Sequence, residues 1–194
     1  MASFKGVSAV MGALEEFFKG RLPPELKQGG NASVKLLGSA DIAKPINGNV
    51  LGIYLHRISV DAHGRNRYLP PKGSESHAPT PELPVNLHFL LLATGNSPNI
   101  EADLLSWGMM QLATQAQLDV AHLGEADSGW GERELVSISP EDLSTEDLMR
   151  IWEAFDAKYT VTTPYVARTV RLRLQPERTE GPEVVTRVFP TGTL

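Results

Sequence analysis

One segment, residues 83–172, limits what this chain can fold into. It opens with LPVNLHFLLLATG, in which Val85, Leu87, Phe89 and Leu91 fall on one face of a strand while Leu90 and Leu92 fall on the other. A strand that is apolar on both faces belongs in the middle of its sheet, with cover on both sides. The next residues supply such cover. Ile100, Leu104, Trp107 and Gln111 share one side of a helix, with Leu105, Met109 and Leu112 beside them. Glu101 and Asp103 stand in its first turn, where carboxylates suit the helix dipole. A strand is expected at 134–139. Ser144 then caps a second helix, with Asp147 completing a capping-box-like pattern and Leu148, Ile151, Trp152 and Phe155 as its buried stripe. Residues 164–174 read as the closing strand. The order is strand, helix, strand, helix, strand, with a tryptophan on each helix.

The flanks add less. Phe4, Val7, Met11, Leu14 and Phe18 recur at helical spacing, widened by Val10 and Phe17, and Gly20 with Pro23-Pro24 ends that helix. It reads as a core-covering helix or as one that docks on a neighbouring subunit. Residues 33–42 are a candidate short strand and residues 50–61 a stronger one. Residues 63–84 hold five prolines and two glycines among polar residues and read as a long exposed loop. Residues 120–131 read as a polar connection, 175–182 as a turn region and 184–189 as a last short strand. The fold class expected is α+β: a mixed, mainly antiparallel sheet of about 4–6 strands covered by about 2–3 helices. It forms one domain over residues 1–194, with the long loop at 62–84 and a C-terminal extension at 175–194.

Composition narrows the function classes. The 194 residues carry a formal charge of −5, against the concentrated basic face that a nucleic-acid binder needs. No cysteine is present, which removes disulfides and thiolate chemistry. The longest apolar run, 87–94, contains His88 and falls short of the roughly 18 residues that span a bilayer. Glu15 and Glu16 interrupt the N-terminal apolar stretch and no small-residue cleavage pattern follows, so a soluble, unprocessed chain is expected.

Catalytic signals are weak. The histidines at 56, 63, 77, 88 and 122 form neither HxH nor HExxH spacing. His56 and His88 fall on predicted strands and are expected as neighbours in a hydrogen-bonded core or interface rather than as metal ligands. The doublets Glu15-Glu16, Glu141-Asp142 and Glu146-Asp147 sit at helix starts or on solvated faces, where dipole complement and solubility account for them. Gly131 is followed by Glu132-Arg133 rather than by the Lys-Ser/Thr of a phosphate loop, and Ser128 has no G-x-S-x-G context. No catalytic residue, metal or cofactor is expected.

Arg57, Arg65, Asn66, Arg67 and Tyr68 cluster at the end of a strand and the start of the long loop. They read either as solvated charge with ion pairing or as an interface anchor set, since Arg and Tyr are enriched at protein–protein hot spots. Val184, Val185, Arg187 and Phe189 belong to the last β-rich run, which would expose an apolar edge unless it pairs within its own sheet or across a subunit boundary.

The chain resembles the cap, or tail-terminator, proteins of phage-tail-like contractile injection systems of the antifeeding-prophage and virulence-cassette type. The resemblance rests on ordered motifs: Arg65-Asn66-Arg67 after a strand, the proline-rich loop, LPVNLHFLLLAT, Trp107-Gly108-Met109-Met110-Gln111-Leu112, then residues 136–155 and 159–172. It covers residues 50–172. Asn86 stands where an acidic residue is common in the family, and the two ends match poorly. The resemblance implies a structural, non-enzymatic role in a ring, expected to be a hexamer, that terminates the inner tube and the contractile sheath. Its partners would be copies of itself, the tube protein and the sheath protein. Assembly would be cytoplasmic, into a particle released or anchored in the cell. The alternatives are another phage-tail-like component, such as a connector or baseplate adaptor, and a small-molecule enzyme.

Overall fold

A computed structural model describes residues 4–29, 31–62, 82–120, 130, 135–155 and 158–173. The described residues form a six-stranded sheet in the order β1-β2-β3-β6-β5-β4. The strands are β1 (Ala32–Leu37), β2 (Asn49–Val60), β3 (Glu82–Thr94), β4 (Gln117–Asp119), β5 (Leu135–Pro140) and β6 (Thr162–Arg173). β1 pairs with β2 in parallel, and the other pairings are antiparallel. The sheet is therefore mixed and mainly antiparallel, as expected.

β3 lies inside the sheet between the two longest partners, β2 and β6. Its alternation sorts its side chains into two separate cores. Leu87, Phe89, Leu91 and Ala93 enter the larger core with α1 (Gly6–Lys19) and α3 (Pro98–Thr114). Leu90 and Leu92 enter a smaller core with Leu37, Ile42, Tyr54 and Trp152, under α4 (Thr145–Glu153) and the single-turn α2 (Ser39–Ile42). The two predicted helices thus cover opposite faces of one sheet. On the smaller-core face Gly52 of β2 leaves no room for a side chain. A Cβ there would lie 2.5 Å from Leu37 Cδ1 and 2.8 Å from Leu92 Cδ1. The bare backbone is what lets those two leucines meet above β2.

α1 buries Val10, Met11, Ala13, Leu14, Phe17 and Phe18, and Phe18 leans on Trp107 of α3 with ring centroids 5.8 Å apart. Phe4 departs from the expected stripe: the helix starts at Gly6, and Phe4 is 85% exposed. α1 touches both β1 and β4, the two outermost strands of the sheet. On α1 Glu15 also accepts a hydrogen bond from the backbone N–H of Leu36 on β1, at 3.3 Å. That carboxylate occupies a donor on the strand that ends the sheet.

Local chemistry explains the remaining boundaries. The strand expected over 33–42 stops at Leu37, because Gly38 N–H bonds Asp41 Oδ2 at 2.8 Å and turns the chain into α2. β3 begins at Glu82, three residues inside the expected loop, with Glu82 held by Arg173 at 2.7 Å across the β3–β6 pair. Ser97 caps α3 by accepting from Ile100 N–H, with Pro98 in the first turn. Ser144 caps α4 by accepting from Asp147 N–H at 3.1 Å and donates its own hydroxyl to the Asp147 carboxylate. β4 is a three-residue strand at the end of a segment read as helix and connection, and a π-helical turn at Glu25–Gly29 follows the proline pair.

Candidate assembly interface

The smaller-core face of the sheet carries a polar network at one end and a cleft at the other. At the polar end β2, β3 and the residue after β5 bring Ser59, His88, Arg57 and Glu141 into one network. His88 Nε2 lies 2.7 Å from Ser59 Oγ, and His88 Nδ1 lies 2.8 Å from Glu141 Oε1. Arg57 Nη2 reaches the same Glu141 oxygen at 3.0 Å. A carboxylate only accepts, so we assign the Nδ1–H tautomer, with Nε2 accepting from the serine hydroxyl. The side chains of His88 and Glu141 are buried, whereas Arg57 is half exposed.

The register explains why these residues converge. Arg57 pairs with His88 and Ser59 with Asn86 across β2–β3, and Pro140 pairs with Tyr165 beside them on β5–β6. A bulge between Leu55 and Arg57 leaves His56 outside the ladder, where its ring meets His88 edge-on at 6.2 Å. Burial, opposed by the Glu141 carboxylate and helped by the nearby charges of His88 and Arg57, pushes His56 down to about 4. His56 is therefore neutral near pH 7. Its Nε2, the Asn86 Oδ1 and the Glu141 Oε2 are buried polar atoms without a hydrogen-bond partner among the described residues.

Ser59, His88 and Glu141 follow the order of a hydrolytic relay, and the fourth member decides against that use. Arg57 Nη2 stands 3.1 Å from His88 Nδ1 and shares its carboxylate oxygen. A guanidinium at that place opposes the imidazolium a general base must become. Ser59 also lies within a ladder opposite Asn86 rather than on a turn that exposes it to a carbonyl. The network is a lock that pairs His88 and ties the end of β5 to β2 across β6 and β3.

A second feature lies at the other end of the same face. A cleft of about 430 Å³ opens between the α2–β2 connection, the end of β3 and the segment entering β6. Its walls include Ile42, Lys44, Ile46, Glu101, Trp152 and Lys158. Gly95 N–H donates to Glu101 at 3.2 Å and Thr94 Oγ1 donates to Gly48 O at 3.2 Å, so these wall groups are already satisfied.

Of the sequence-predicted interface residues, Arg57 is placed on β2, where it makes an ion pair with Glu141. Arg65, Asn66, Arg67 and Tyr68 lie outside the described residues, as do Val184, Val185, Arg187 and Phe189. The expected neighbouring of His56 and His88 is met, and His88 is the hydrogen-bonded member. Glu141 corrects the reading of its doublet: its side chain is 13% exposed and serves the sheet rather than a helix start. Ser59, Lys44 and Lys158 carried no pattern that singled them out. Among the described residues no group of three or more His, Cys, Asp or Glu could hold a metal, and no helix is long and apolar enough to cross a membrane.

Comparison with known proteins places the chain. No curated protein matches it. Among solved structures it is similar to the sheath/tube terminator of an extracellular contractile injection system, PVC, in the extended state. The TM-score there is 0.60 at 14% identity, over 97% of this chain, and the chain spans 65% of that terminator's length. It is also similar to the tube-terminating cap of the anti-feeding prophage, at TM-score 0.46 and 15% identity, over 74% of this chain and 50% of that one. The likeness to the PVC terminator is one of fold, with the same α+β architecture. The family model described as Pvc16 N-terminal domain matches residues 9–186, beyond both ends of the 50–172 stretch that carries the motifs. The chain belongs to the Pvc16 N-terminal domain family.

Proposed function

We propose that this chain is a structural cap of a phage-tail-like contractile injection particle, forming a hexameric ring that terminates the inner tube and the contractile sheath. The observation that carries the proposal is the family match over residues 9–186. The fold shared with a sheath/tube terminator supports it. The physics is consistent with this role. A ring of identical subunits in head-to-tail contact closes on itself and offers every incoming sheath subunit the same docking edge. A sheet with a core on each face is a rigid body for that edge. The role is structural rather than catalytic, and the Arg57 guanidinium beside the His88 relay agrees with it.

Contacts with tube and sheath fall in this proposal to Arg65, Asn66, Arg67 and Tyr68 and to Val184, Val185, Arg187 and Phe189. Assembly is cytoplasmic, into a particle that is then released or anchored. The test is co-sedimentation of the protein with tube and sheath, with its position located by electron microscopy. Density at the end opposite the baseplate is the expected result. Density at the baseplate, or a protein that never sediments with particles, refutes the cap reading. Arg65→Glu with Arg67→Glu, and deletion of residues 183–194, should each leave a folded subunit that caps few particles. Normal capping by both variants would remove these segments from the contact set.

A further inference from the structure

The cleft beside Trp152 shows what would fill it once its internal bonds are subtracted. Thr94 is bonded to Gly48 O, and Glu101 to Gly95 N–H. What remains is an apolar floor of Ile42, Ile46 and Trp152 flanked by two exposed lysines, Lys44 and Lys158. Trp152 adds a buried indole N–H with no hydrogen-bond partner among the described residues. Neither lysine makes an ion pair among the described residues, whereas Lys19, Arg57, Arg150 and Arg173 all do. In a chain of net charge −5, the cleft sets two lysines against the one carboxylate of Glu101, a net positive site with aliphatic walls. It fits a carboxylate standing beside an aliphatic side chain.

The same molecule presents that combination at the opposite end of the same helix. Trp152 and Lys158 put the cleft at the C-terminal end of α4. Just before its N-terminal end stand Asp142, exposed, and Leu143, partly exposed, followed by exposed Glu146, which pairs with Arg150, and Asp147, which accepts from Ser144. The acidic lip lies at the positive end of the helix dipole and the basic cleft at its negative end, so each charge is favoured where it sits. One element thus carries two complementary surfaces that cannot meet within one subunit, because the helix separates them. Such an arrangement is satisfied head to tail between copies, the contact type that builds a closed ring.

We infer that the Lys44–Lys158 cleft of one subunit receives the Asp142–Leu143 lip of the next, and that this contact sets the head-to-tail orientation of subunits around the ring. The inference rests on the proposed ring and adds to it the surface that closes the ring. Electrostatic complementarity of this kind fixes register and partner choice more than raw affinity.

The test is a charge-swap cycle read by native mass spectrometry and light scattering, with circular dichroism melts to confirm folding. Lys44→Glu with Lys158→Glu, and separately Asp142→Lys with Glu146→Lys, should each raise the concentration at which the ring dissociates at least tenfold. An equimolar mixture of the two double variants should regain association, because each offers one matched pair of surfaces. Raising salt from about 0.05 to 0.5 M should weaken the wild-type ring in the same direction. Rings that form normally in either double variant overturn the contact and leave the ring reading intact. So does a mixture that stays apart. A wild-type chain that is monomeric at every concentration overturns the ring reading, and this contact with it. Should a double variant melt early, the single changes Lys158→Glu and Asp142→Lys carry the same comparison with smaller shifts.

Discussion

Replacing Glu141 by alanine tests whether the polar end of the sheet is a lock. The carboxylate accepts from His88 Nδ1 at 2.8 Å and from Arg57 Nη2 at 3.0 Å. Its removal strands the His88 N–H, which is buried and then unpaired, at about 1–3 kcal/mol. The ion pair with half-exposed Arg57 contributes about 0–1 kcal/mol more, because water screens that side. Glu141→Ala should therefore cost about 1–4 kcal/mol. Glu141→Gln keeps an oxygen for His88 and should cost about 1 kcal/mol or less, losing the charge but not the acceptor. Arg57→Ala should also stay under about 1 kcal/mol. Urea unfolding of the three variants at pH 7 measures the series, and each kilocalorie should move Tm by about 2–4 °C in a domain of this size. If Glu141→Ala falls within about 0.5 kcal/mol of wild type, or if Arg57→Ala costs as much, the histidine is not the partner that matters and the lock is misassigned.

Other expectations come from the same packing. Trp152 is buried in the smaller core and Trp107 only partly in the larger one, so Trp152→Ala should cost about 3–5 kcal/mol and Trp107→Ala clearly less; equal losses in chemical denaturation would contradict this. Gly52→Val forces Leu37 and Leu92 apart and should destabilise by at least about 1–3 kcal/mol, whereas an unchanged urea midpoint would show that the leucines can give way. His56 is held at about 4, below the ordinary value of 6.5, so the folded state disfavours its proton. Its contribution is fully present above pH 6.5 and lost as pH falls from there toward 4. Wild type should lose more stability than His56→Gln between pH 7 and 4.5; parallel losses would remove His56 as the cause.

How much of this was legible in the chain depended on whether the signal was local. β3 announces itself because each of its faces is apolar, and the two cores sort its leucines as the alternation requires. The α4 cap is equally local, since Ser144 and Asp147 stand one turn apart. Phe4 misled because helical spacing says nothing about where a helix starts. β4 was missed because Gln117–Asp119 is too short to show a period, and only its pairing with β5 makes it a strand. The His88 network was out of reach for a different reason. Glu141 lies 53 positions from His88, and a bulge at His56 sets the phase in which Arg57 and Ser59 meet His88. The Lys44–Lys158 cleft joins residues from either end of the fold, with no spacing rule between them.

The position of α1 also bears on how the chain is made. The helix carrying Val10, Phe17 and Phe18 touches β4 and β6 as well as β1 and β2. During synthesis it emerges before the strands it packs against, and the last of those residues, on β6, are then still about 150 codons away. At about 5–20 residues per second, its apolar stripe waits roughly 8–30 s for its binding surface. That is far longer than a helix or a hairpin needs to form, which is microseconds. The nascent chain therefore passes through a long interval in which the apolar stripe of α1 is only partly covered. Holding factors that bind exposed apolar helices would act in that interval, and the first twenty residues are where they would be found.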